Sequence, residues 1–370
     1  MRADENSGRI SRRRWFGVAS ALLLTRSVRA QSQSTQGTPL EDDRVSLSSM
    51  ADVEGTLTPV DRFFVRSHHP QPRLSLKTWR LRVEGAVDNP LELSFSDMVE
   101  TSTRTLEGLL ECAGNRTGLV SNGLWEGIPL SDLIRRAQPK EGAKRVLLQG
   151  ADKGSLMPEM PESPYSRILP LEKCLAPETL VAFKLNGQFL PRRNGFPARA
   201  FIPGWYGMDS VKWLTRVRVL DAFDWPSAYY SSGMDLLYQR YVKFGSREEI
   251  TGRVSEVQVN SGFSFPPPGA NLAPGRYPVR GFAWAGPHRV GAVQVSPDRG
   301  ATWSPARLEG ESRPFTWVRW SYDWTAPKGE HLLMARAQDH RGRWQPIRRD
   351  TNRTDGYELN WYPSVQCNVL

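Results

Sequence analysis

Three short segments hold most of the side chains able to do chemistry. The first, Leu109 to Arg116, ends an apolar run at Cys112 and continues with Ala113, Gly114 and Asn115. Small residues let the backbone turn sharply and let a bulky group approach the sulfur. A neighbouring Arg116 favours the thiolate, the form that binds a soft metal, although a cysteine after an apolar strand also reads as a buried structural thiol. The second, Asp61 to Pro72, places Arg66 beside His68 and His69 in a loop stiffened by Pro70 and Pro72. An arginine fork suits oxyanions, and the histidine pair raises metal binding without a third ligand in view; a solvated basic surface loop fits the same residues. The third runs from Leu190 to Leu214 and carries Arg192, Arg193, Arg199, Ser210 and Lys212 among glycine turns. It reads as a phosphate cradle or as a β-hairpin with ordinary turns, since no P-loop or dinucleotide fingerprint is present.

These segments need a frame. A chain of 370 residues suggests two domains and an appendage. Thr78 to Gly85 and Lys144 to Gln149 read as strands, Ser131 to Arg136 as a helix capped by Ser131, and Thr179 to Leu190 as a hairpin turning at Asn186-Gly187. This mixture predicts an α+β domain over residues 51–245. Beyond it, Arg253 to Asn260, Tyr277 to Trp284, Arg289 to Ser296, Thr316 to Asp323 and His331 to Asp339 alternate as strands, and Pro266 to Gly269 is a loop. Such spacing predicts a β-sandwich over residues 246–370.

The charge of +10 resembles a nucleic-acid signal until it is located. Seven arginines against Asp4 and Glu5 put +5 in residues 1–30 and leave +5 elsewhere, with no dense basic stripe. A solvated basic surface is the expectation, with no nucleic acid as partner. Ser11-Arg12-Arg13-Arg14-Trp15-Phe16, the apolar run Val18 to Leu24 and Val28-Arg29-Ala30 form a cleavable signal of twin-arginine type over residues 1–30. The apolar run is too short to span a bilayer, so no membrane span is expected and the destination is the periplasm. Residues 31–50 read as a flexible linker. Cys112, Cys174 and Cys367 match no zinc spacing and cannot all pair, and the latter two read as structural thiols.

Together the motifs resemble the sulfite oxidase family of molybdenum enzymes, from about Gly55 onward. They are FFVRSHHPQP from Phe63, ECAGNR from Glu111, NGLWEGIPL from Asn122, NGFPARAFIPG from Asn194 and SVKWL from Ser210. The later runs RGFAWAG from Arg280, VSPDRGATW from Val295 and ARAQDHRGRWQP from Ala335 resemble the family's immunoglobulin-like dimerisation domain. The resemblance implies a molybdopterin-binding α+β domain of the sulfite oxidase fold followed by an all-β immunoglobulin-like sandwich, a molybdenum-molybdopterin cofactor and a homodimer.

Residue by residue, it implies that Cys112 is the protein's ligand to molybdenum. Phe64, Arg66, Ser67, His68 and Asp152 match pterin contacts, and Arg66 also borders the substrate pocket. Arg199, Ser210, Val211 and Lys212 match the phosphate grip, with Asn194 standing where animal members have histidine. Trp125 matches a pocket tryptophan, and Tyr241, with Tyr238 as fallback, matches an active-site tyrosine. The implied reaction is oxidation of sulfite to sulfate, and in the absence of a Cys-x-x-Cys-His motif electrons are expected to leave to an external c-type cytochrome. Two departures concern the substrate: Thr117 stands where members place a second pocket arginine, and a third has no counterpart in ELNWYPSVQCNVL. Same-fold alternatives are a sulfane-sulfur dehydrogenase or an S- or N-oxide reductase; outside catalysis, a secreted binding protein presenting aromatics is the competing expectation.

Overall fold

The computed structural model describes residues 45–116, 118–155, 160–221 and 238–370. The expected signal segment and Thr117 lie outside the described residues. The first domain is built on two five-stranded sheets. One contains Arg104–Glu111, Val120–Pro129 and Leu180–Leu185, with Gln188–Phe189 and Arg199–Phe201 both paired to Leu180–Leu185. The other orders Leu91–Leu93, Leu81–Gly85, Leu214–Leu220, Arg145–Gly154 and Ser163–Pro170. Helices Phe95–Glu100, Leu130–Arg136 and Leu171–Leu175 accompany them. The apolar core takes Leu81, Val83, Val146, Leu148, Val217 and Val219 from alternate positions of adjoining strands and Leu133 and Ile134 from a helix.

The second domain packs a four-stranded sheet of Asn260–Phe265, Gly275–Trp284, Trp317–Ala326 and Arg307–Glu309 on a five-stranded one. The latter orders Ala270–Leu272, Ser364–Val369, Gly329–Asp339, Val290–Ser296 and Ser304–Pro305. Val279, Trp320, Val295, Leu333 and Ala335 fill the space between them. This is the expected α+β domain followed by a β-sandwich, and Pro266 to Gly269 is the expected loop. A hairpin of Gln239–Phe244 and Arg247–Arg253 lies between the two.

Three local expectations are corrected. The Leu130 helix is entered from Pro129, not capped by Ser131, because the strand Val120–Pro129 runs directly into it and Ser131 lies buried inside its first turn. Residues 254–259 form no strand, as their backbone bonds go to the first domain: Tyr206 donates to the Ser255 carbonyl at 2.8 Å and Val257 to that of Gly204 at 2.9 Å. The end of the expected linker is built into the fold, since Val45–Ser46 pairs antiparallel with Val65–Arg66 and the Ser48 amide donates to the Gly118 carbonyl.

Candidate active site

The chemistry-bearing segments meet in one cavity of the first domain. Leu110 and Cys112 reach it from the end of Arg104–Glu111, and Phe64, Arg66, Ser67 and His68 from the loop around Val65–Arg66. Asp152 enters from Arg145–Gly154, and Arg193, Asn194, Arg199, Ser210 and Lys212 from the glycine-turn segment. Tyr165, Gly207, Met208 and Tyr238 complete the lining.

At the Cys112 end, burial pushes the thiol above its ordinary range, while the Gly114 N–H and the positive charge of Arg66 pull it back down. Arg66, not Arg116, is therefore the cation that favours the thiolate; the Arg116 guanidinium lies 3.8 Å over the Trp361 ring instead. The turn is closed by the Cys112 amide on the Leu119 carbonyl at 2.9 Å and the Asn115 amide on the Cys112 carbonyl at 2.8 Å. Beside it, Glu111 is pushed up to about 7 by burial, with Asn115, Trp284 and Asn260 donating to its carboxylate in the opposing direction.

Along one wall, His68 Nε2 and the Tyr238 hydroxyl share a 2.7 Å hydrogen bond, and His68 stacks on Tyr165 with centroids 5.1 Å apart. Burial lowers His68 to about 3, helped by Arg66, His69, Lys212 and Arg167, so the ring is neutral at physiological pH. Tyr165 donates to the Met208 carbonyl at 2.9 Å, and the Arg167 guanidinium sits 5.1 Å over the Tyr238 ring. Arg167 is itself anchored to Asp209 at 2.9 Å in a fully buried pair.

The far end is cationic. Arg199, 5% exposed, donates to the carbonyls of Asn194 at 3.0 Å and Ser210 at 2.9 Å, and burial lowers it to about 9. Lys212 bonds the Ser67 hydroxyl and reaches the Arg193 carbonyl at 3.4 Å. Gly195, at φ 111°, lets this cradle close: a Cβ there would meet Arg199 Cβ and Lys212 Cβ, each at 3.1 Å. Among the lining residues two acceptors are left without partners: Asp152 Oδ1 and Asn194 Oδ1 are buried with no hydrogen bond, and burial raises Asp152 to about 7. Unpartnered buried acceptors are rare in folded proteins. N–H donors and a phosphate at this end and a soft metal at Cys112 would satisfy these groups, and a pterin phosphate bearing a metal supplies all three. The residues fit the group.

Ten of the residues expected at the site line the cavity: Phe64, Arg66, Ser67, His68, Cys112, Asp152, Asn194, Arg199, Ser210 and Lys212. Three do not. Trp125 is fully buried behind it, bonded to the Gly108 carbonyl and stacked on Phe201 at 4.7 Å, with the Arg199 guanidinium 5.2 Å above its ring. It serves as the floor under Arg199. Val211 points into the core, its carbonyl taking the Ala200 amide. Tyr241 lies in the hairpin with its amide on Asp355, and Tyr238 occupies the cavity wall in its place. Tyr165 and Met208 were not anticipated, while Arg193 joins the lining from the segment expected to cradle a phosphate. Among the described residues no group of three or more His, Cys, Asp and Glu side chains is placed to hold a metal, so His68 and His69 form no such centre.

Comparison with known proteins agrees with this geometry. Residues 68–227 match the oxidoreductase molybdopterin binding domain, and residues 253–369 match the Mo-co oxidoreductase dimerisation domain. Sulfite oxidase of Gallus gallus is 32% identical over 79% of this chain and 69% of that protein. The NADH nitrate reductase of Ulva prolifera is 34% identical over 72% of this chain, and mitochondrial sulfite oxidase of Homo sapiens is 33% identical over 76%. The chain spans 35% and 55% of those two relatives. The crystal structure of the sulfane dehydrogenase SoxCD from Paracoccus pantotrophus superposes with a TM-score of 0.78 at 27% identity, covering 91% of this chain and 89% of that one.

Proposed function

The chain belongs to the sulfite oxidase family of molybdopterin oxidoreductases, and from that premise we propose that it oxidises sulfite to sulfate in the periplasm and passes electrons to an external c-type cytochrome. It is a molybdenum oxidoreductase with a molybdenum-molybdopterin cofactor; a purely binding role is set aside by that membership. When bound, the cofactor supplies oxygen-atom transfer and takes up the two electrons released.

The observation that carries the reading is the placing of Arg66 at the Cys112 end of a cavity whose other cations gather at the far end. Cys112 would hold the metal. Asp152 and Asn194 would accept the ring N–H groups of the pterin, and Arg193, Arg199, Ser210 and Lys212 would grip its phosphate. Arg66 would then bind and orient the oxyanion, through charge-assisted contacts worth about 1.5–3 kcal/mol each. Neutral His68 keeps the Tyr238 hydroxyl fixed, holding a proton at its oxygen beside the reacting group. The periplasmic address rests on the paired arginines and apolar run of residues 1–30. A homodimer is supported by the matched dimerisation domain.

Sulfite-dependent reduction of ferricyanide or cytochrome c by the molybdenum-loaded chain tests the proposal. A normal metal content without turnover overturns it. A second reading, oxidation of sulfane sulfur or reduction of an S- or N-oxide, draws on the likeness to a sulfane dehydrogenase and on Thr117 in place of a pocket arginine. Reduced viologen dye separates the reductase from the dehydrogenases, since only a reductase consumes the dye when given a sulfoxide.

A further inference from the structure

The Cys112 turn lies on the seam between the domains, and the second domain holds it at two points. Glu111, 2% exposed, points its carboxylate across the seam. Its Oε1 accepts from Asn115 Nδ2 at 2.9 Å and from Asn260 Nδ2 at 3.1 Å, and its Oε2 accepts from Trp284 Nε1 at 2.8 Å. The orientation of Asn260 is fixed from its other side: its Oδ1 takes Gln345 Nε2 at 3.0 Å and the Ser261 amide at 2.9 Å, leaving its amide nitrogen to face Glu111. On the near side, Asn115 passes the restraint into the turn, accepting the Leu119 amide at 2.9 Å.

The second hold is a backbone one. The Glu358 N–H donates to the Ala113 carbonyl at 2.8 Å. Glu358 sits at φ 54°, a costly conformation for a residue with a Cβ, and its carboxylate is pinned by Arg240 at 2.8 Å and Arg353 at 3.0 Å. Glu111 precedes the cysteine and Ala113 follows it. Both flanks of the sulfur-bearing residue are therefore fixed by the sandwich domain.

We infer that Glu111 is a positioning residue through which the second domain sets the direction of the Cys112 thiolate, making that domain part of the metal site as well as a dimerisation surface. The inference rests on Cys112 as the ligand, as proposed above. The choice of acid over amide follows from the partners. All three are N–H donors, and only a carboxylate offers acceptors on both sides. A glutamine would turn an NH2 group toward the Trp284 N–H or toward the two asparagine amides, setting donor against donor.

The test is a cycle of Glu111→Gln, Trp284→Phe and the double variant in the full chain, with two readouts at the cysteine. One is the rate of alkylation of Cys112 by iodoacetamide in metal-free protein, where Cys174 and Cys367 are shielded at 0% and 1% exposure. The other is the Mo(V) paramagnetic resonance signal of reduced, loaded protein, which follows the geometry of the metal–sulfur bond. Glu111→Gln should speed alkylation about tenfold and shift the signal, as expected for losing one hydrogen bond to a charged group. Adding Trp284→Phe should relieve part of that effect, because it removes the opposed donor. Alkylation rates and signals unchanged in both single variants, whatever the melting temperatures do, would overturn the inference, as would strict additivity in the double. If Glu111→Gln fails to fold, Asn260→Ala and Trp284→Phe carry the same comparison from the far side of the seam. A chain that binds no molybdenum would overturn the proposed function, while the alkylation arm would still report on positioning.

Discussion

Replacing Arg199 by methionine should stabilise the cofactor-free protein and weaken the loaded one. Arg199 is 5% exposed and its hydrogen bonds go to carbonyls, with no carboxylate beside it among the described residues. Burial lowers it from 12.5 to about 9, so the charged form is disfavoured in the fold by about 5 kcal/mol. That cost is fully present at neutral pH, below the folded value, and would be relieved only as pH rises through it. Methionine removes the cost but abandons the carbonyls of Asn194 and Ser210, at about 1 kcal/mol each. The net expectation is a gain of about 1–3 kcal/mol without cofactor, within the range seen when buried charges become apolar. For a protein of this size that is a rise of several degrees in melting temperature, about 2–4 °C per kcal/mol. The loaded protein should move the other way, since an anion at this end would no longer find its cation. Paired thermal melts of metal-free and loaded Arg199→Met, with molybdenum content measured, give both signs. Equal destabilisation of the two forms would refute the reasoning, showing that Arg199 is a structural cation satisfied by the fold alone.

Other substitutions probe the remaining roles. Cys112→Ser should abolish molybdenum retention while leaving the metal-free melting temperature nearly unchanged, because the side chain is only half-buried; metal analysis checks it. Asp152, raised by burial from 3.8 to about 7, binds a proton in the fold that it releases when unfolded. Metal-free protein should therefore lose stability as pH rises from about 4 to 7, by up to about 4 kcal/mol from this group. Urea titrations of Asp152→Asn should lack that part of the slope, while the part from Glu111, shifted in the same direction, remains. Tyr238→Phe should lower sulfite kcat/KM by about 100-fold or more, in the range of a lost proton-handling group. Tyr241→Phe should behave nearly as the wild type in the same assay.

How much of this was legible depended on whether a signal was local. Cys112, Arg66 and Lys212 announce themselves because each sits in a short run whose small, cationic or proline neighbours have a physical purpose. Tyr238 stood second to Tyr241 because the two were ranked by resemblance alone; in the structure Tyr238 precedes its strand in a left-handed conformation at φ 61°, and a bulge separates Arg240 from Tyr241. Trp125 shows why residue type alone misleads: an indole in a motif can line a pocket or support the residue that does, and here Phe201 and Phe63 enclose it. Residues 254–259 alternate like a strand, yet their partners lie in another domain. Glu111 was the least legible, because its importance comes from donors 149 and 173 positions away in sequence.

The distribution of countercharges differs between the cavity and other parts of the interior. Away from it, four buried or half-buried arginines are paired: Arg167 and Arg253 share Asp209, and Arg240 and Arg353 share Glu358. Facing it, Arg66 and Arg199 have no carboxylate partner among the described residues, and the acid in the lining, Asp152, is held toward its neutral form by burial. Arg199, buried and without a carboxylate partner, would stabilise an entering anion far more than a paired cation would, whereas Arg66 is exposed and its field is screened by water. Under the proposed function Arg199 would face the cofactor's phosphate and Arg66 the substrate. With Thr117 in the position of a second pocket arginine, removing Arg66 should then raise KM for an anionic substrate far more than it lowers molybdenum content.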